Sequence, residues 1–364
     1  MLRLLRRLHR WFGLAIALPV AVQGLTGALL ALQPALPGAG GSDAPPQPAS
    51  RIVAAAITMA GADARVIRFA AIEGPGEPVT VQLLHQDGSP EIIRLDPVTL
   101  EPVAEGWLDR MWPTLRSLHV AFLAQPYGGR SIGGWFGIGL VALLITGVPI
   151  WWPRGGGWKT ALTVDTRLRG YRFQRSLHGA VGAWSVVVLF VVAATGVVLA
   201  FPATSRGLMG LQGGGPPRQP PVRWAQLDPA PPDIDKLLAA AVQAVPGARV
   251  GQVMLGGRGQ PVRIFLAHAG TDGAVGRVAL QLDPTTLRAL SIQDPRAAAP
   301  ADQAYRWMHD LHEGAGLGPV WRLLVGLSGA ALVLFAVTGP LMWWMARRRR
   351  ARVRRAASQS APAT

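Results

Sequence analysis

The chain has 364 residues, no cysteine, 36 Lys+Arg against 20 Asp+Glu, and half of its residues are hydrophobic. Without cysteine, disulfides, iron–sulfur clusters, thiolate zinc sites and thiol catalysis are excluded. A net charge of +16 on so apolar a chain leaves two arrangements: basic patches for nucleic acid, or apolar spans between basic flanks.

In chain order, the predicted elements begin with four arginines before residue 11 and a stretch over 11–42 that lacks Asp, Glu, Lys and Arg. Its apolar part is too long for a signal-peptide core and no small-residue cleavage site follows promptly, so a retained span is expected over 1–35. An α+β stretch over 50–105 comes next. It holds an Ala-rich amphipathic helix at 51–60, alternating runs at 66–72 and 79–84, and a strand and turn at 93–100. A second charge-free stretch, 131–153, belongs to a span over 115–153, and a basic loop fills 154–175. A third, 176–205, supplies the span over 176–202. A second α+β stretch over 233–293 repeats the pattern: a helix at 235–245, runs at 250–255 and 262–266, and a strand and turn at 280–287. The last charge-free stretch, 323–346, lies in a span over 306–346, before a basic tail at 347–364. Pro- and Gly-rich segments at 37–48 and 213–232 read as linkers. Each charge-free stretch reaches the ~20 residues that cross a bilayer, and none has the polar face a soluble helix of that length needs.

The charges sort by side. The N-terminal ten residues, the loop at 153–175 and the tail after 346 hold 17 Lys/Arg and a single acid, Asp165. Elsewhere 19 basic and 19 acidic residues cancel, so the whole net charge lies with the termini and the middle loop. By the positive-inside rule that side is cytoplasmic. The arginine tail is expected to be a topological anchor at acidic lipid, with no nucleic-acid role.

The spans repeat. Leu8-His9 precedes Thr26-Gly27 by 17 residues, the same interval that separates Leu177-His178 from Thr195-Gly196. Leu118-His119 leads to Thr146-Gly147 and Trp151-Trp152, as Leu311-His312 leads to Thr338-Gly339 and Trp343-Trp344. Two parallel repeats of two spans follow. The outward segments repeat as well, each closing on a Leu-Asp-Pro-x-Thr-Leu turn, at 95–100 and 282–287.

This order of LH-headed span, α+β module and span ending in Thr-Gly then Trp-Trp, twice over, resembles the PepSY-associated transmembrane family. Its motifs stand here as Leu8-His9-Arg10-Trp11-Phe12-Gly13, Leu177-His178-Gly179 and Leu311-His312-Glu313-Gly314. Within that family the chain looks similar to iron-regulated, ferric-siderophore-reductase-like members. The fold expected is a four-helix transmembrane all-α bundle bearing two small α+β PepSY-like periplasmic modules, in a bacterial inner membrane with both termini cytoplasmic.

Seven histidines are present. His85 and His268 end strands and are expected to be solvated turn residues. The others sit at span mouths, where an ionisable residue is a functional candidate. His9 and His178 open spans at the cytoplasmic face; His119 and His312 precede spans at the outer face. Each pair occupies equivalent positions of the two repeats, so each is expected to meet at the bundle axis. One imidazole from each of two facing helices suits the axial ligation of haem iron, whereas a zinc-like site wants three or four protein ligands. Two b haems are therefore expected, on His9/His178 and His119/His312. His309 lies three residues before His312 and competes with it, the Leu-His match favouring His312. The Thr-Gly pairs read as structural, with a small residue for close approach and a threonine bonded back to its own helix.

No nucleotide, nicotinamide or triad motif is legible. The expected activity is electron transfer across the membrane from an external donor, a quinol or a cytoplasmic reductase. The resemblance implies a periplasmic ferric siderophore as acceptor. Two other classes stand beside it: a non-enzymatic regulator of a periplasmic protease or signalling partner, and a transporter subunit.

Overall fold

The computed structural model describes residues 1–33, 45–70, 78–211, 222–228, 230–268, 274 and 276–359, with only the backbone described at 108 and 354–359. Most of the expected linkers, 37–48 and 213–232, and the end of the run at 66–72 lie outside the described residues. The chain forms two compact units. One comprises 1–34, 111–205 and 311–364, the other 35–110 and 206–310.

Elements are numbered in chain order. The first unit is helical: α1 (Leu2–Leu32), the end of α3 (Trp107–Ala121), α4 (Gly129–Trp151), α5 (Trp158–Leu162), α6 (Gly170–Ala200), most of α7 (Pro202–Leu208), the end of α9 (Pro300–Glu313) and α10 (Gly318–Gln359). Four of these, α1, α4, α6 and α10, are long and apolar enough to cross a membrane. They close a ring of neighbours in which α1 packs on α4 and α10, and α6 packs on the same two. Burial is inverted relative to a soluble bundle. Leu18, Trp135, Trp184, Val187 and Val337 point outward, whereas Thr26, Thr195, Ser328 and Thr338 are buried. Lipid solvates the apolar exterior, so polar side chains turn inward, where they find partners.

The α1–α10 crossing depends on glycine. A Cβ at Gly24 would stand 2.7 Å from the Gly329 carbonyl oxygen, and one at Gly329 would stand 2.5 Å from that of Gly24. With no hydrophobic force between helices in lipid, such backbone approach supplies the dispersion and dipolar contact that holds them.

The expected spans over 115–153 and 306–346 are each broken in two. α3 ends at Ala121, and Phe122 and Leu123 take left-handed backbone (φ 50° and 60°) before α4 begins. α9 ends at Glu313, and Gly314 (φ 81°), Gly316 (φ 76°) and Gly318 (φ 77°) turn the chain into α10. His119 and His312 therefore lie in the last turns of separate amphipathic helices, a break that hydropathy cannot register. Arg116 pairs with Glu313 (3.5 Å), joining the ends of α3 and α9. At the other end α10 continues beyond its apolar part through the basic tail to Gln359.

The second unit contains α2 (Ala49–Ala60), α8 (Ile234–Ala244) and seven strands: β1 (Arg65–Ala70), β2 (Val79–Leu84), β3 (Pro90–Leu95), β4 (Ala248–Met254), β5 (Val262–His268), β6 (Arg277–Leu282) and β7 (Ala289–Gln293). Two separate modules were the expectation; the strands instead form one antiparallel sheet in the order β3-β2-β1-β4-β5-β6-β7. β1 and β4 join its halves, pairing Arg68 with Met254, Phe69 with Val253 and Ala70 with Gln252. A single core of Ile52, Val53, Leu83, Leu95, Leu237, Ile264, Leu266 and Leu280 lies between the sheet and the two helices. Asp235 of α8 accepts hydrogen bonds from the backbone N–H groups of Ala49 (2.8 Å) and Ser50 (3.2 Å), so one half caps the helix of the other.

The duplicated turns match atom for atom. Asp96 accepts from the N–H groups of Val98 and Thr99 (2.8 and 2.9 Å), and Asp283 from those of Thr285 and Thr286 (both 2.8 Å). Leu100 and Leu287 both follow in left-handed backbone, at φ 61° and 58°.

Candidate functional site

His85 and His268 are not the solvated turn residues expected. His85 bonds Glu91 through Nε2 (2.8 Å) and Asp63 through Nδ1 (3.1 Å), and His268 pairs with Asp294 (3.0 Å). Hydrogen bonds donated by the ring to Glu91, and then to Asp63, hold the His85 imidazole above its usual value. Both histidines pair with carboxylates of the sheet unit.

Of the remaining five, His9, His119, His178 and His312 are gathered in the helical unit by a crossed exchange with the Thr-Gly pairs. His9 of α1 bonds Thr146 of α4 (Nδ1 to Oγ1, 3.0 Å), and His119 bonds Thr26 of α1 (2.9 Å). In the second half His178 of α6 bonds Thr338 of α10 (2.7 Å), and His312 bonds Thr195 of α6 (3.5 Å). Two backbone carbonyls accept alongside the threonines, Gln23 from His119 Nδ1 at 3.1 Å and Val192 from His312 Nδ1 at 2.8 Å.

These partners determine the tautomer. Every threonine hydroxyl donates its only proton to its own helix: Thr26 to Val22 (2.6 Å), Thr146 to Ala142 (2.8 Å), Thr195 to Val191 (2.7 Å) and Thr338 to Leu334 (2.9 Å). A carbonyl can only accept, so in His119 and His312, which face Gln23 and Val192, Nδ1 carries the proton and Nε2 the lone pair. In His9 and His178 the facing group is a hydroxyl, and its bond to its own helix favours the same tautomer.

The glycines make room. A Cβ at Gly196 would lie 2.7 Å from His312 Cε1, one at Gly27 would lie 3.0 Å from His119 Cε1, and one at Gly147 would lie 3.4 Å from His9 Cε1. The recurrence of Thr-Gly was legible as a repeat. Its partner was not, because the bonds join residues 93 to 160 positions apart. Thr26, Thr146, Thr195 and Thr338 are thus site residues that the sequence alone assigned to helix packing.

Of the two expected pairs, the structure brings His119 and His312 together, with ring centroids 6.1 Å apart and planes tilted by 43°. His9 and His178 lie within electrostatic reach of one another, and no ring-to-ring contact joins them among the described residues. His312, rather than His309, occupies the place that matches His119, since each donates to the carbonyl three residues before the facing threonine. Among the described residues no group of three or more His, Asp or Glu converges as a metal cage would. The site consists of imidazole pairs.

Near His9 and His178, Trp158 of α5 packs against Trp151 and Trp152 at 5.9 and 5.0 Å. Trp151 and Trp184 donate to the Ala161 and Leu162 carbonyls (3.1 and 2.9 Å), which fastens α5 to α4 and α6. Arg348 stacks on Trp344 at 3.8 Å. Tryptophans beside arginines are the chemistry of a membrane interface.

Comparison with known families matches residues 6–346 to the PepSY-associated TM region. Comparison with curated proteins gives no match.

Proposed function

The chain belongs to the PepSY-associated TM family, and from that premise we propose that this multi-pass membrane protein carries electrons across a bacterial inner membrane through two b haems. The observation that carries the proposal is that four histidines, at matching places of the two halves, each have Nδ1 engaged by a threonine of a facing helix, which leaves Nε2 for a ligand. A metal-binding imidazole needs that state. The outer pair also fits the group. The His119 and His312 ring centroids lie 6.1 Å apart with their planes tilted by 43°, near enough that both imidazoles would hold one ion.

His119 and His312 would hold one haem, and His9 and His178 the other. When bound, each supplies a one-electron Fe(III)/Fe(II) couple. The chain's own residues orient the ligands, exclude water from the bundle and set the spacing of the two levels. His9 and Thr26 mark those levels on α1, as His178 and Thr195 do on α6. Seventeen residues at 1.5 Å put the levels about 25 Å apart along the helix. One centre at each level divides a bilayer that a single hop would not cross.

Orientation follows from charge: both termini and 154–175 lie in the cytoplasm, and the sheet unit faces the periplasm. The acceptor in this proposal is a ferric siderophore, taken from the resemblance to iron-regulated members. Transfer of one electron converts its Fe(III) to Fe(II), which a hard-oxygen chelator holds less tightly. The electron comes from a quinol or a cytoplasmic reductase.

The test is an absorption spectrum of the purified full-length protein. A Soret band corresponding to two haems per chain is expected, falling to one in His178→Ala. Its absence from wild-type protein would remove the redox reading and leave the regulator reading in its place.

A further inference from the structure

We propose that Thr338 is the residue that positions His178, and that the four Thr-Gly pairs form a graded series at whose end this threonine acts alone. The inference rests on the ligand reading above in its significance, though not in its geometry.

The grading is visible in what holds each Nδ1. His312 donates to the Val192 carbonyl at 2.8 Å, with Thr195 at a distant 3.5 Å. His119 divides its proton between the Gln23 carbonyl (3.1 Å) and Thr26 (2.9 Å). His9 sits on Thr146 at 3.0 Å with the Leu143 carbonyl also in reach. Among the described residues, His178 Nδ1 has one partner, Thr338, at 2.7 Å.

The glycines grade in the opposite sense. An added Cβ would meet the imidazole Cε1 at 2.7 Å at Gly196, 3.0 Å at Gly27 and 3.4 Å at Gly147, and would meet nothing within 4 Å at Gly339. Where the ring presses onto the helix, a backbone carbonyl is close enough to take its proton. Where it stands off, as His178 does, only a side chain reaching out from the helix can take it. The Phe335 ring, 4.8 Å from that of His178, packs against the imidazole but offers no acceptor.

A carbonyl acceptor survives any side-chain substitution, whereas a hydroxyl does not. Thr338 accepts because its own proton is committed to the Leu334 carbonyl. Replacing it with the near-isosteric valine removes the acceptor and leaves His178 free to adopt the other tautomer, with a proton on the nitrogen that must bind metal.

The test uses the full-length protein in nanodiscs. Nitrogen-15 spectra of His-labelled, tetrapyrrole-free protein read the tautomer, with the His178 signal identified by its loss in His178→Gln. Soret absorbance per chain is read on protein as purified. Thr338→Val is expected to move His178 alone to the Nε2–H form and to cut the Soret band to about half. Thr338→Ser should restore both, and Thr195→Val should change neither, because Val192 still holds His312. If Thr338→Val does not fold, Thr338→Ala takes its place, with the same expected loss of the Nδ1–H form and of half the Soret band. Retention of the Nδ1–H form in Thr338→Val, or a Thr195→Val effect of the same size, would overturn the proposal. Wild-type protein with the expected tautomers and no Soret band would instead refute the haem reading while leaving the positioning role standing.

Discussion

At the scale of single residues, the histidines divide by what their ring nitrogens touch. His85 is bracketed by carboxylates, which favour its protonated form in the folded state. Its pKa is raised above the ordinary 6.5, chiefly by Glu91. Its stabilising contribution is then complete below about 6.5 and disappears as pH rises through the raised folded value. His85→Gln should lower the melting temperature relative to wild type more at about pH 5.5 than at about pH 9; an equal difference at both would refute that pairing. The carboxylates of the two repeated turns have the opposite sign. Backbone N–H groups of Thr99 and Val98 lower Asp96, and those of Thr286 and Thr285 lower Asp283. Their contribution exists above the ordinary carboxylate value and is lost in acid. Asp283→Asn should therefore destabilise at neutral pH and converge with wild type below about pH 3.

At the scale of elements, helix ends and breaks carry the specificity. Asp235 joins α8 to the first turn of α2, so Asp235→Ala should cost about 1 kcal/mol, the usual worth of an N-cap, measured by denaturant or thermal unfolding. At the α3–α4 break, exposed Leu123 holds a left-handed conformation that glycine adopts freely. Leu123→Gly should therefore stabilise by about 0.5–1 kcal/mol, strain relief exceeding the added chain entropy. The corresponding turn after α9 places glycine, at Gly314, Gly316 and Gly318, where its backbone has positive φ, and so avoids that strain. The α1–α10 crossing has no such tolerance. Gly329→Leu should separate the helices and abolish assembly of the bundle, visible as aggregation on gel filtration.

At the scale of the whole molecule, sidedness and direction are the testable properties. If both termini are cytoplasmic, reporter fusions at Gly41 and Gly214, which lie outside the described residues, will both score as periplasmic. A cytoplasmic signal at either would invert the two histidine levels. For electron flow, dithionite-reduced protein should be reoxidised by a ferric siderophore, and His119→Ala should abolish that reaction. His178→Ala should retain it while losing supply from the cytoplasmic side. The 19 basic and 19 acidic residues outside the three basic segments balance, so salt should alter the rate only modestly. Unchanged reoxidation in His119→Ala would refute an outward relay.

The spans, their basic flanks, the repeat and the four Leu-His motifs were all legible in the linear order of residues. Hydropathy over ~20 residues and charge counts on either side are local quantities that need no tertiary contact to be expressed. The helices α2 and α8 and most strands were legible for the same reason, since their apolar periods lie within a dozen residues. The union of two strand sets into one sheet was not. β1 and β4 are joined by backbone hydrogen bonds, which any side chains permit, and only the shared core under both halves decides that they pair. The order of residues favoured His312 over His309 by its Leu-His match, and the fold puts His312 Nδ1 2.8 Å from the Val192 carbonyl of α6, the place that matches His119 on Gln23. The threonines carry the same lesson furthest. Back-bonding of a hydroxyl to its own helix is local and was expected. That the same hydroxyl also meets an imidazole from another helix depends on helices that approach to within a few ångströms, and packing alone determines that approach.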